Sequence, residues 1–202
     1  MAPKRPVGTE PKAELRARIR AVRRQRESAD RERASQSITA SVLRLLAERD
    51  DSCVACYLSG DFEPSTAALM QALWSLKKEV ITPRVRGDAL EWVVTTPDSG
   101  QTIGAFGIRE VDEGAARSLD EADVILVPAL AIDEQGYRLG QGGGFYDRAL
   151  ANLAPAPLLI GLVFAAEDVT VVPRERHDLP VDAVVTEAGV RWVTTGGSSG
   201  SR

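Results

Sequence analysis

Histidine occurs once in this sequence, cysteine and methionine twice each, and aromatic residues make up only 5% of it. A single histidine, His177, leaves no His-His metal site and no H-E-x-x-H protease, and without a G-x-S-x-G elbow a Ser-His-Asp hydrolase is disfavoured as well. Two cysteines cannot build a disulfide framework, so a reducing cytoplasm is the expected setting. Cys53 and Cys56 lie in an apolar run that reads as a strand, where residues three apart point to opposite faces. That spacing favours core packing over a redox pair, which needs a helix N-terminus, and no second pair exists to complete a zinc site. Long hydrophobic runs are missing too. The longest, Val124 to Ile132, is half of what a bilayer span requires, and no apolar stretch follows the charged N-terminus.

What is present is the composition of a soluble globular protein: 202 residues, 44% hydrophobic and 27% charged. A chain of this size buries roughly two thirds of its unfolded surface and needs no metal or disulfide to hold a core. We expect residues 1–11 to be loose, 12–193 to form a single domain acting as a monomer, and 194–202 to be a disordered tail. Charge is unevenly placed. The first 26 residues carry nine Lys and Arg against two Glu, and the remaining 176 carry 16 against 27, so a +7 arm precedes a −11 body. A nucleic-acid contact, a solvated face and a phosphate clamp would each use such an arm; the acidic, aromatic-poor body argues against nucleic acid.

From Lys12 the pattern is helical, with Leu15, Ile19 and Val22 on the apolar face and Lys12, Arg16, Arg20, Arg23 and Arg24 over much of the rest. A second helix is expected from Asp30 to Glu48. The period then changes: strand Cys53 to Leu58, helix Ser65 to Lys78, and strand Val80 to Thr82 ended by Pro83 make a βαβ unit with parallel strands. Leu90 to Thr95 reads as an antiparallel or edge strand with one wet face. Asp123 to Val127 reads as a strand buried on both sides. A long Gly-rich loop, a helix from Phe145 to Leu153, and strands Leu158 to Val163 and Ala183 to Thr186 complete an α/β, Rossmann-like layered sandwich, its central sheet mixed but mostly parallel, behind two N-terminal helices.

The densest chemical signal is the run Arg138-Leu139-Gly140-Gln141-Gly142-Gly143-Gly144-Phe145-Tyr146-Asp147, between a buried strand and a helix start. In an open α/β sheet, ligands bind outside the carboxyl ends of the strands. Glycines let backbone amides approach an anion, so the run reads as a phosphate cradle or as a flexible turn; it matches neither standard nucleotide fingerprint. Asp147 beside a phosphate implies Mg2+, or it is a carboxylate favoured by the helix dipole. Asp182, opening the last apolar strand, is a candidate second cation ligand. Glu63, after the first strand, stands where substrates bind, or is a helix-entry acid. Lys12 and Arg16, one turn apart, project together and suit two phosphates of one ligand.

Four blocks in this order, Lys12-x-x-Leu15-Arg16, Tyr57-Leu58-Ser59 followed by Glu63, Arg138 to Arg148, and the late Pro-x-Glu-x-His-Asp with Val181-Asp182, resemble the 5-formyltetrahydrofolate cyclo-ligase (5,10-methenyltetrahydrofolate synthetase) family over residues 12 to 190. The resemblance implies an ATP- and Mg2+-dependent ligase of folate one-carbon metabolism that closes 5-formyltetrahydrofolate to 5,10-methenyltetrahydrofolate, with ADP and phosphate as coproducts; the alternative is a paralogue that binds nucleotide or folate without turnover. Carried over, Lys12, Arg16 and residues Arg138, Leu139, Gly140, Gln141, Gly142, Gly143, Gly144, Phe145 and Tyr146 hold ATP. Asp147 and Asp182 hold Mg2+; Leu58, Glu63, Phe145 and Tyr146 meet the folate; and Arg138, Tyr146 and Asp147 are catalytic. Many relatives carry an aromatic or basic residue at Gln141 and Tyr at Phe145, some have Lys at Gly143, and the family often has Gln at Glu167.

Overall fold

The computed structural model describes residues 10–104, 107–151, 153–175 and 178–194. The expectations for the first residues and the tail, and His177 itself, lie outside the described residues apart from positions 10, 11 and 194. Two helices come first, α1 (Lys12–Gln25) and α2 (Ser28–Ala47), then β1 (Cys53–Ala55), α3 (Ala67–Ser75), β2 (Glu79–Arg86) and β3 (Ala89–Thr95). A hairpin of β4 (Gln101–Ile103) and β5 (Arg109–Val111) and a short β6 (Ala116–Arg117) lead to β7 (Val124–Pro128). After it come β8 (Ala131–Asp133), β9 (Arg138–Leu139), α4 (Phe145–Leu150), β10 (Leu158–Leu162), β11 (Asp168–Val169), β12 (Ala183–Thr186) and β13 (Gly189–Trp192).

Eight strands form one sheet in the order β13-β12-β10-β7-β1-β2-β3-β6. The five from β12 to β2 are parallel; β13 and β3 run antiparallel to them on the two sides, and β6 pairs antiparallel with β3 at the edge. The unbroken apolar run of β7 follows from burial on both faces. Val124 and Leu126 join the core under α2 and α3, with Ile38, Val42, Leu69 and Leu73, whereas Ile125 and Val127 join the opposite core with Leu150 and Ile132. The same alternation separates Cys56 from Cys53, one in each core. Both thiols are free, and burial pushes each up to about 12. They are packing groups, protonated at neutral pH.

Three expectations change. Pro83 does not end β2: the strand continues to Arg86, and Pro83 pairs with Trp92 of β3. The parallel partner β1 reaches only Ile81, so Pro83 sits past that ladder, where its missing N–H costs no hydrogen bond. The stretch after β7 is also not all loop. Its first half is the β8–β9 hairpin, whose turn is held by the buried carboxylate of Asp133 accepting from the backbone N–H groups of Gln135 and Tyr137, each at 2.9 Å. Helix α4 is shorter than expected, ending at Leu150. No described helix is long and apolar enough to cross a membrane.

Candidate active site

Strand order places the site. From β1 the chain moves to β2 on one side and later returns to β7 on the other, so the order reverses between β1 and β7 and the carboxyl ends of these strands open a crevice. The segment after β1 supplies one wall. Thr66 Oγ1 donates to Tyr57 O at 2.7 Å and Gly60 N donates to Glu63 Oε2 at 2.9 Å, fixing a tight turn ahead of α3. Leu58 and Glu63 line a cleft of about 430 Å³ whose other walls include Met70 and Trp74 on α3, Arg31 on α2 and Arg109 on β5.

The segment after β9 supplies the other side. Gly142 and Gly144 have φ of 112° and 65°, left-handed values that strain any residue with a Cβ. Helix α1 lies over this loop, its Leu15 and Ile19 packed on Leu130, Leu139 and Val172. Arg16 Nε donates to Gly140 O at 2.9 Å, and Arg20 donates to both the side-chain and backbone oxygens of Gln141. Lys12 reaches Glu175 at 2.9 Å and Asp178 at 3.2 Å. Partial burial pulls its ammonium down, but hydrogen bonds to these two carboxylates more than offset that. Gln141 in turn donates to Glu63 Oε1 at 3.5 Å, so the glycine loop and the cleft meet.

Arg138 is buried, donates to Leu179 O at 2.7 Å and pairs with Asp147. Burial lowers its pKa from the ordinary value, and Asp147 and then Asp178 oppose that shift electrostatically. The two carboxylates that act on this arginine are therefore Asp147 and Asp178. Asp182 is elsewhere: its Oδ2 accepts from Leu159 N at 2.8 Å, at the amino ends of β10 and β12. Expecting Asp182 as the partner of Asp147 is corrected on that ground, since the glycine loop belongs to the opposite, carboxyl ends of the strands. Among the described residues no cluster of three metal-binding side chains exists.

Tyr146 and Phe145 are not on the cleft wall. Tyr146 packs edge-on against Trp92, ring centroids 6.1 Å apart, and Phe145 lies under the Arg148 guanidinium at 5.1 Å. The Tyr146 hydroxyl is buried without a hydrogen-bond partner. Burial pushes this phenol well above its ordinary pKa, with Glu63 adding to the shift and Arg138 opposing it. A buried hydroxyl without a partner is uncommon in a native fold.

Reading α1 as an apolar face with a mostly solvated remainder misses its inner stripe. Val22 is 51% exposed, and Arg23 takes the inward position beside it. Arg23 donates to both oxygens of Glu167 and to Ala129 O, and Arg26 pairs with Glu187. Lys12, Arg16, Arg20 and Arg23 recur every three or four residues, a helical stripe that was visible as spacing. That each meets an acceptor from elsewhere in the chain was not visible.

The 5-formyltetrahydrofolate cyclo-ligase family matches residues 8–187. The 5-formyltetrahydrofolate cyclo-ligase of Haemophilus influenzae is 33% identical over 181 residues, covering 87% of this chain and 97% of that protein. The enzyme of the same name from Mycolicibacterium smegmatis is 39% identical over 142 residues, 66% of this chain and 72% of its own. The solved 5,10-methenyltetrahydrofolate synthetase of Aquifex aeolicus superposes with a TM-score of 0.81 at 32% identity, covering 94% of this chain and 96% of that one. A Mycoplasma pneumoniae synthetase shares the fold at a TM-score of 0.75 and 19% identity, covering 88% of this chain and 99% of its own. With the family matched along nearly the whole of its described length, this chain belongs to the 5-formyltetrahydrofolate cyclo-ligase family.

Proposed function

We propose that this chain converts 5-formyltetrahydrofolate and ATP to 5,10-methenyltetrahydrofolate, ADP and phosphate. The observation that carries the reading is the meeting of three elements at the carboxyl ends of β1 and β7: the cations of α1, the glycine loop, and the cleft of Leu58 and Glu63. A formyl group on nitrogen is a poor electrophile and its oxygen a poor leaving group. Transfer of the γ-phosphoryl to that oxygen converts it to a phosphate ester of an iminium. The neighbouring folate amine attacks the carbon and gives up its proton, and phosphate leaves with the oxygen. The protein's part is positioning and charge neutralisation.

In this reading Lys12 and Arg16 hold the polyphosphate from α1 while residues 138–146 wrap it. Arg138, buried and cationic, faces the transferred charge. Glu63 hydrogen-bonds the pterin, Leu58 covers it, and the unsatisfied Tyr146 hydroxyl is a further polar contact in the site. Mg2+ binds through one or two carboxylates together with substrate phosphates. Asp147, which pairs with Arg138, and Asp178, which also acts on it, fit that requirement, and the ion would neutralise charge on the phosphoryl oxygens. A monomer is taken as the acting unit, and the two unpaired thiols suit a reducing cytoplasm.

The deciding experiment mixes the protein with 5-formyltetrahydrofolate, Mg2+ and ATP and follows the near-ultraviolet band of the methenyl product. Growth of the band that needs both ATP and protein supports the proposal. Folded protein that binds ATP and folate without product would instead mark a non-catalytic paralogue.

A further inference from the structure

Glu63 and the glycine loop belong to different halves of the site, and the side chain of Gln141 joins them. Its amide oxygen accepts from Arg20 Nε at 3.1 Å and from Arg20 Nη2 at 2.7 Å, and its backbone carbonyl accepts from Nη2 at 3.2 Å. Two guanidinium donors on one amide oxygen fix which way the amide faces. The NH2 group is left on the other side, where Nε2 donates to Glu63 Oε1 at 3.5 Å. A flipped amide would set its oxygen against the Glu63 carboxylate and its NH2 against a cation. The other Glu63 oxygen is already held by Gly60 N at 2.9 Å. Arg20 thus determines that Gln141 offers Glu63 a donor, facing the second carboxylate oxygen.

The lengths matter. A 3.5 Å separation lies at the far limit of a hydrogen bond, so a small movement of the loop toward Glu63 strengthens it steeply. Arg20 is one helical turn beyond Arg16, which holds Gly140 O. A polyphosphate that draws Arg16 and the loop together therefore also moves the Arg20–Gln141 pair.

We infer that Arg20 and Gln141 are positioning residues that couple the two substrate sites: nucleotide on the glycine loop orients Glu63 for the folate ring, and folate on Glu63 steadies the loop for nucleotide. Linkage makes the effect reciprocal. The inference rests on the cyclo-ligase reading, with Arg20 acting through Gln141 and touching neither substrate.

The test is a binding measurement without turnover. 5-Formyltetrahydrofolate is titrated into the intact protein with and without a non-hydrolysable ATP analogue plus Mg2+, in the wild type and in Arg20→Met. The analogue is expected to tighten the folate Kd about tenfold in the wild type and by less than about twofold in Arg20→Met, with Arg20→Lys regaining part of the effect through a single donor. A merely structural role would weaken both ligands and leave the ratio unchanged. Should Arg20→Met fail to fold, Gln141→Leu, on the exposed loop, is read in its place. A wild type that binds both ligands without coupling, or an Arg20→Met protein that keeps the coupling, overturns the inference while leaving the activity standing. Failure to bind either ligand overturns both.

Discussion

Arg23 and Glu167, 144 positions apart, form a two-point ion pair at 2.7 and 2.8 Å with both side chains almost fully buried. Burial raises the Glu167 carboxyl above its ordinary pKa, and the Arg23 guanidinium offsets only part of that. Glu167 also accepts from Phe164 N at 2.9 Å, so the pair ties α1 to the segment that follows β10. Breaking it by Glu167→Ala leaves a buried unpaired arginine and is expected to cost about 3–5 kcal/mol. Urea denaturation measures this. Replacing both residues with Met should recover much of the loss, and a double mutant as unstable as Glu167→Ala would contradict the pairing.

Lys12→Ala should raise the KM for ATP about tenfold or more, with little change in that for folate, because a charge-assisted contact to phosphate contributes about 1.5–3 kcal/mol. Arg16→Ala should act the same way. Steady-state kinetics with each substrate varied in turn distinguishes this from general damage, and an unchanged KM for ATP would refute the clamp.

The three aspartates separate by position. Asp147→Asn should lower turnover about a hundredfold, and Asp178→Asn should shift activity to higher Mg2+. Asp182→Asn, whose remaining oxygen still accepts from Leu159 N, should leave the Mg2+ dependence unchanged. Activity titrated with Mg2+ in each variant checks the assignment; a shift in Asp182→Asn would restore the expectation drawn from sequence.

Tyr146→Phe removes a hydroxyl that is buried without a partner. Stability should rise or hold, by up to about 1 kcal/mol, while activity falls several-fold. Thermal melts and kinetics on the same preparation test both halves. Full activity in the variant would show that the hydroxyl meets no ligand.

Asp123 supplies the pH dependence. Its Oδ2 accepts from Cys53 N at 2.9 Å and Ser52 N at 2.7 Å, holding β1 to the start of β7. The Cys53 hydrogen bond, opposed by partial burial and aided by Ser52, lowers the carboxyl below its usual range. A depressed folded-state pKa contributes stability that is complete above the ordinary aspartate value and lost as pH falls through the folded one. Stability measured from neutral pH to about pH 3 should therefore fall less steeply in Asp123→Ala, which starts about 1–2 kcal/mol lower. Equal acid slopes would show that Asp123 contributes nothing to the acid limb.

Much of this was legible locally. The all-apolar run of β7, the amphipathic period of α2 and the strand–helix–strand spacing from Cys53 to Thr82 each reflect the burial of a single element, which a short window of sequence records. Glycines at 142 and 144 marked backbone that other residues resist. Pro83 misled because a proline stops a strand only where its N–H is needed, and that depends on where the neighbouring strand ends. Asp182 misled for a related reason: opening an apolar strand places it at the amino ends of β10 and β12, and only the fold shows that the glycine loop lies at the other ends.

The sequence by itself determined the main helices and the parallel core strands, the alternation of β7 and β1 between two cores, the glycine loop and the family, because local periodicity and motif order carry them. Only the tertiary structure decided that Lys12, Arg16, Arg20 and Arg23 of α1 turn to acceptors from distant segments, that Arg23 belongs to Glu167, that Asp178 rather than Asp182 acts on Arg138, and that Gln141 reaches Glu63. Each of those is a contact between segments far apart in the chain, and long side chains choose their partners only after packing has removed them from water.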